Sequence, residues 1–92
     1  MNAELRSRLA EAASQAQLRE IITFFFRDHP QGTSFEGLKE MLYLHEDFKE
    51  ESLQQLTTNQ ILIVADGRYT LSPFARQILD RDPVILMDEF LR

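Results

Sequence analysis

Apolar residues along this chain change their period twice, and each change marks a boundary between predicted elements. Leu5, Leu9, Ala12 and Ala16 recur at spacings of four, three and four, the period of a helix buried on one face. A second row, Leu18, Ile21, Ile22 and Phe25, is rotated from the first, and Ser14 with Gln17 has the spacing of a capping box. The pattern predicts a leading helix over residues 2–13 and a core helix from about Gln15 to Asp28; one bent or continuous helix is the alternative. Pro30 ends the run, because it disfavours helix at His29 and cannot itself continue one.

The period then shortens. Thr33 reads as a strand of one or two residues, and Ser34 as the N-cap of a helix from Phe35 to about Tyr43 that buries Leu38, Met41 and Leu42. Asp47 and Glu50 have the spacing of a capping pair for a third helix that buries Leu53 and Leu56 and ends near Asn59. Ile61 to Ala65 is apolar and β-branched, as a strand is. Asp66-Gly67 supplies the positive φ angles of a two-residue hairpin, and Tyr69 and Leu71 alternate inward on the returning strand. Ser72-Pro73 opens a helix whose Phe74, Ile78 and Leu79 face the core. Asp82-Pro83 repeats that start signal for a last helix over 83–91, carrying Val84, Leu86, Met87, Phe90 and Leu91.

Ninety-two residues bound this pattern to one domain over 1–92, and 43% hydrophobic residues place it among folded chains. No cysteine is present, so disulfides and thiolate metal sites are excluded. No apolar run approaches the roughly 20 residues that span a bilayer, and residues 1–16 lack the apolar centre of a secretory signal. The expectation is a cytoplasmic protein with no membrane partner.

The order helix, short strand, helix, helix, two-stranded hairpin resembles the winged helix-turn-helix superfamily of transcription regulators. The match covers about residues 15–79 and rests on Leu38, Leu42 and Leu44, on Leu53 and Leu56, and on Ile61-Leu62 and Arg68 to Leu71. It implies a mainly α fold with a small β-hairpin: a winged-helix core with extra helices at 2–13 and 83–91. Three positions depart from the superfamily's pattern. Tyr43 and Asn59-Gln60 stand where glycines are common, although Asn tolerates a left-handed cap, and Lys49 stands where a buried valine is common.

By the resemblance, Asp47, Lys49, Glu50, Glu51, Gln54 and Gln55 lie on the third helix that would face a partner, and Asp66, Gly67 and Arg68 form the wing tip. The superfamily often dimerises through flanking helices, which implies Leu5, Leu9, Met87, Phe90 and Leu91 as candidate homodimer contacts, with Phe24 and Phe26 beside them; the alternative is that the first and last helices pack on each other within one chain. Three consecutive rings, Phe24 to Phe26, cannot share one narrow helix face, since neighbours lie about 100° apart. Packing on the last helix or a dimer contact would cover the remainder.

Charge separates fold from function. The chain carries −5, and Asp47, Glu50 and Glu51 are acidic where a groove-reading helix is basic or polar. A carboxylate about 6 Å from a phosphate costs about 0.7 kcal/mol even in bulk water, against the counterion release that drives DNA affinity. Lys39, Arg76 and Arg81 are scattered among acids, and Arg68 is the only cation of the wing. His29 and His45 sit beside acids, but His45, Glu46 and Asp47 are sequential and point apart, so no metal, cofactor or catalytic constellation is expected. Two readings follow. The first is a non-enzymatic protein–protein interaction or regulatory module acting through the acidic third helix. The alternative is a homodimeric DNA-binding regulator using helix 47–59 and the 61–72 wing.

Overall fold

The computed structural model describes residues 2–42 and 50–87. They fold mainly as helix, with a small three-stranded antiparallel sheet. Helix α1 spans Asn2–Ala13 and α2 spans Ala16–Thr23. Gln15 between them is extended, with φ −97° and ψ 119°, so these are two helices. The Ser14-Gln17 capping box does not form. The Ser14 hydroxyl instead turns back to the Glu11 carbonyl at 2.6 Å, and the Arg19 guanidinium caps the Ala13 carbonyl at 2.8 Å. The Arg19 contact satisfies an acceptor that the end of α1 leaves without a helical partner, and the Ser14 hydroxyl adds to the Ser14 N–H that the Glu11 carbonyl already accepts at 3.2 Å. Ala16, expected on the buried row of α1, is exposed at the start of α2.

After α2 the helix widens into a π-helical turn over Phe24–Asp28, closed by a His29 N–H donating to the Phe24 carbonyl at 2.8 Å. That widening explains the three rings. Phe24 and Phe25 are both buried, edge to face at 5.4 Å, where a regular helix would turn one of them outward. Phe26 is half-buried, with the Arg76 guanidinium 5.4 Å above its ring. The same guanidinium donates to the Phe25 and Phe26 carbonyls at 3.0 and 3.3 Å.

Strand β1 (Thr33–Ser34), helix α3 (Phe35–Leu42), helix α4 (Glu51–Thr58) and strands β2 (Leu62–Ala65) and β3 (Arg68–Leu71) follow. The sheet order is β1-β3-β2, with Thr33 opposite Tyr69 and Val64 opposite Tyr69 on the other side. Gly32, at φ 81°, lets β1 approach: a Cβ there would lie 2.3 Å from the Tyr69 carbonyl oxygen. Leu38 is buried on α3, but Met41 is 40% exposed, against the expectation that it packs inward. Tyr43 and the Asp47–Glu50 capping pair lie outside, or partly outside, the described residues.

Helix α4 ends in a Schellman motif. The Ile61 N–H donates to the Leu56 carbonyl and the Gln60 N–H to the Thr57 carbonyl, both at 2.9 Å. Gln60, at φ 65°, takes the left-handed position that Asn59 was expected to take. Asp66 and Gly67, at φ 53° and 76°, form the expected hairpin turn. Ser72 joins the two halves: its hydroxyl donates to the Gln60 carbonyl at 2.8 Å and accepts from the Ala75 N–H, capping helix α5 (Pro73–Arg81).

Ala75, Ile78 and Leu79 bury the inner face of α5, whereas Phe74, expected in the core, is 61% exposed at the second helical position. Asp82-Pro83 starts a 3₁₀ turn over Pro83–Leu86, and Met87 is already extended at ψ 147°. The expected helix over 83–91 is therefore not formed through Met87. In this turn Ile85 is buried and Leu86 packs partly buried against the core, whereas Val84 and Met87 are each 43% exposed. Helix α1 packs on α5 and on this turn, and Arg6 pairs with Asp82 across them. Buried residues from α1 to the last turn join one core.

Candidate interaction surface

Helix α4 and the hairpin share one side of the molecule because the Schellman turn delivers the chain directly from α4 into β2. Leu53 and Leu56 are fully buried, which fixes the rotation of α4. Glu51, Gln54, Gln55 and Thr58, at the complementary spacings of three, one and three, form its exposed stripe. The structure thus brings Glu51, Gln54 and Gln55 onto one solvent face. Asp47 and Lys49 lie outside the described residues.

Glu50, just before α4, has a different position from the other predicted contacts. Its Oε2 accepts the Tyr69 hydroxyl at 2.8 Å, tying the start of α4 to the middle strand. The Tyr69 ring is buried at 4% exposure. Burial, then the Glu50 hydrogen bond and its charge, push the phenol up to about 12. Sequence reasoning placed Tyr69 inward but missed this partner. The available signal was a buried tyrosine, whose hydroxyl needs one.

At the hairpin, Asp66, Gly67 and Arg68 are exposed at the tip. Arg68 leans back, its Nε donating to the Gln31 carbonyl at 3.4 Å. From Glu50 to Ser72 the chain has three carboxylates, Glu50, Glu51 and Asp66, and one cation, Arg68. Most described cations elsewhere are engaged within the chain. Arg6 pairs with Asp82, Arg8 with Glu4, Arg19 with the Ala13 carbonyl and Arg76 with two carbonyls; Lys39 sits over the Phe35 ring at 5.2 Å. No continuous positive strip runs along α4 and the hairpin among the described residues.

The predicted dimer contacts divide. Leu5, Leu9 and Phe24 are buried within the chain at 7%, 0% and 7% exposure, so they are core residues and not surface contacts. Phe26 and Met87 line one apolar recess of about 490 Å³ with Val84 and Leu86. Phe90 and Leu91 lie outside the described residues. His29 stacks on the Phe24 ring at 5.4 Å and pairs with Gln31.

A feature absent from the predicted site stands out on the hairpin. Ile63 and Val64 are 48% and 46% exposed, and Ala65 is exposed beside them. The signal was legible: Ile61 to Ala65 is apolar without the alternation of a strand that has one wet face. No helix among the described residues is long and apolar enough to cross a membrane. Comparison with protein-family models, curated proteins and solved structures returned no match.

Proposed function

We propose that this chain is a non-enzymatic winged-helix module that binds protein through the exposed face of α4, with Glu51, Gln54 and Gln55 as its contacts. The element order and the pairing of a short leading strand with the hairpin support the winged-helix reading. One observation carries the functional reading: three carboxylates and one cation lie between Glu50 and Ser72, and that cation leans onto a backbone carbonyl. Phosphate contacts position a nucleic-acid reader before base contacts specify sequence, and this surface offers few of them. Exposed carboxylates and amides instead suit a basic or amide-bearing protein surface.

The test is titration of a fluorescent random duplex at low salt, beside photocrosslinking from a reactive group at position 54 in the source cells. The expected outcome is no salt-sensitive duplex binding and a protein adduct that is lost on Glu51→Lys. Salt-sensitive duplex binding at micromolar affinity or tighter, or a nucleic-acid adduct, would instead establish the homodimeric DNA-binding regulator.

A further inference from the structure

Hairpin geometry fixes which backbone groups of β2 face outward. The two-residue turn makes Ala65 and Arg68 a hydrogen-bonded pair, and such pairs alternate along an antiparallel ladder. Ile63 therefore bonds inward to Thr70, and the Ser72 N–H donating to the Ile61 carbonyl at 2.8 Å is in the same phase. Leu62 and Val64 turn their N–H and C=O groups to the opposite side, which is the outer edge of the sheet. Leu62 is fully buried, so the accessible edge is Ile63-Val64-Ala65, with Val64 presenting the outward donor and acceptor. Single exposed apolar residues are ordinary, but three in succession along an edge that no strand pairs among the described residues are not. Natural edges are blunted by shortness, charge, proline or a bulge; Leu62–Ala65 is short at four residues but carries no charge, proline or bulge.

We propose that this edge pairs antiparallel with the same edge of a second copy, with Val64 on the two-fold axis. The strand is self-complementary in that register. Each Val64 exchanges its N–H and C=O with the other, and each Ile63 faces Ala65 of the second copy, large over small, twice. On the inner face the two Val64 side chains meet, each beside its own Tyr69. Residues 62–65 carry no charge, so no like charges face each other. Neighbouring registers are closed: one requires the backbone of the buried Leu62, the other requires strand geometry from Asp66 at φ 53°. The product is an isologous six-stranded sheet of order β1-β3-β2-β2-β3-β1. It uses an edge separate from the exposed face of α4 and stands whether or not that face binds a partner. With three residues per copy the contact belongs to the weak class, below roughly 1,200 Å², so it is measured at high protein concentration.

The absence of cysteine allows a register test. Residues facing each other in such a ladder lie about 4.5–5.5 Å apart at Cα, within disulfide range, whereas Ile63 and its own copy lie diagonally beyond it. Mild oxidation of Val64→Cys is expected to give a covalent dimer. An equimolar mixture of Ile63→Cys and Ala65→Cys is expected to give heterodimer in excess of both homodimers. Sedimentation of the unmodified chain is expected to shift toward dimer as concentration rises, and the absence of that shift overturns the proposal even should a variant fail to fold. A monomer at every concentration up to the solubility limit, or a heterodimer yield no better than random mixing, would overturn the proposal.

Discussion

The helical side and the hairpin side of this molecule use similar apolar residues for opposite ends. On the helical side, Leu5, Leu9 and Phe24 all lie inside the chain, covered by α5, the last turn and the neighbouring rings. At the hairpin, Ile63 and Val64 stand half-exposed on a terminal strand. Hydrophobicity alone does not distinguish the two sets. What separates them is whether the neighbouring backbone is already satisfied. A helix closes its own hydrogen bonds and leaves only side chains to be buried, whereas an edge strand presents unpaired backbone together with its side chains.

The sharpest way to break this comparison is truncation on each side. Leu9→Ala is expected to lower stability by about 2–5 kcal/mol in urea denaturation, because the site is fully buried and leaves a cavity. Ile63→Ala, in dilute solution, is expected to stay within about 0.5 kcal/mol. Equal losses would erase the distinction. Next comes Arg76→Ala, which removes the donor to the Phe25 and Phe26 carbonyls and uncovers the Phe26 ring. A loss of about 1–3 kcal/mol in the same assay is expected, and an unchanged midpoint would show that the π-helical turn stands without it.

Tyr69→Phe tests the link between the two sides of the candidate surface, with an expected loss of about 1 kcal/mol near neutral pH. It also predicts a pH effect. In the folded chain the phenol is held to about 12, while the unfolded phenol releases its proton near 10. Between those values the folded state binds more protons. This contribution is therefore complete below about pH 10 and is lost as pH rises toward 12. Denaturation midpoints for Tyr69→Phe should lose the part of the alkaline decline that Tyr69 contributes; an identical decline in both proteins would contradict that role. Arg68→Ala should have the smallest effect, within about 0.5 kcal/mol, since the side chain is exposed and its one hydrogen bond is long.

Much of the element order was legible because local chemistry dictates it. Asp66-Gly67 requires a hairpin turn and Ser72-Pro73 requires a helix start, and both form where the residues say. The rotation of each element was less legible. Phe74, Met41, Val84 and Met87 are exposed although their spacing fits a buried face, because phase depends on caps and turn types set by distant contacts. Arg76 is one such contact: reaching from α5, it satisfies carbonyls of a widened turn about fifty residues earlier, with separations of 50 and 51. The candidate surface was legible in composition and not in linkage. Acidity along α4 was readable, whereas the hydrogen bond that commits Glu50 to Tyr69 depends on the packing of the hairpin under α4.

The Val64 amide tests the contrast between the two sides most directly. Its N–H points to the outer edge, so hydrogen exchange followed by NMR should find it fast in dilute solution and progressively protected as concentration rises. The Leu9 amide, inside α1, should stay protected throughout. Protection at Val64 that does not change with concentration, whether high or low, would contradict the division of apolar residues between folding and association.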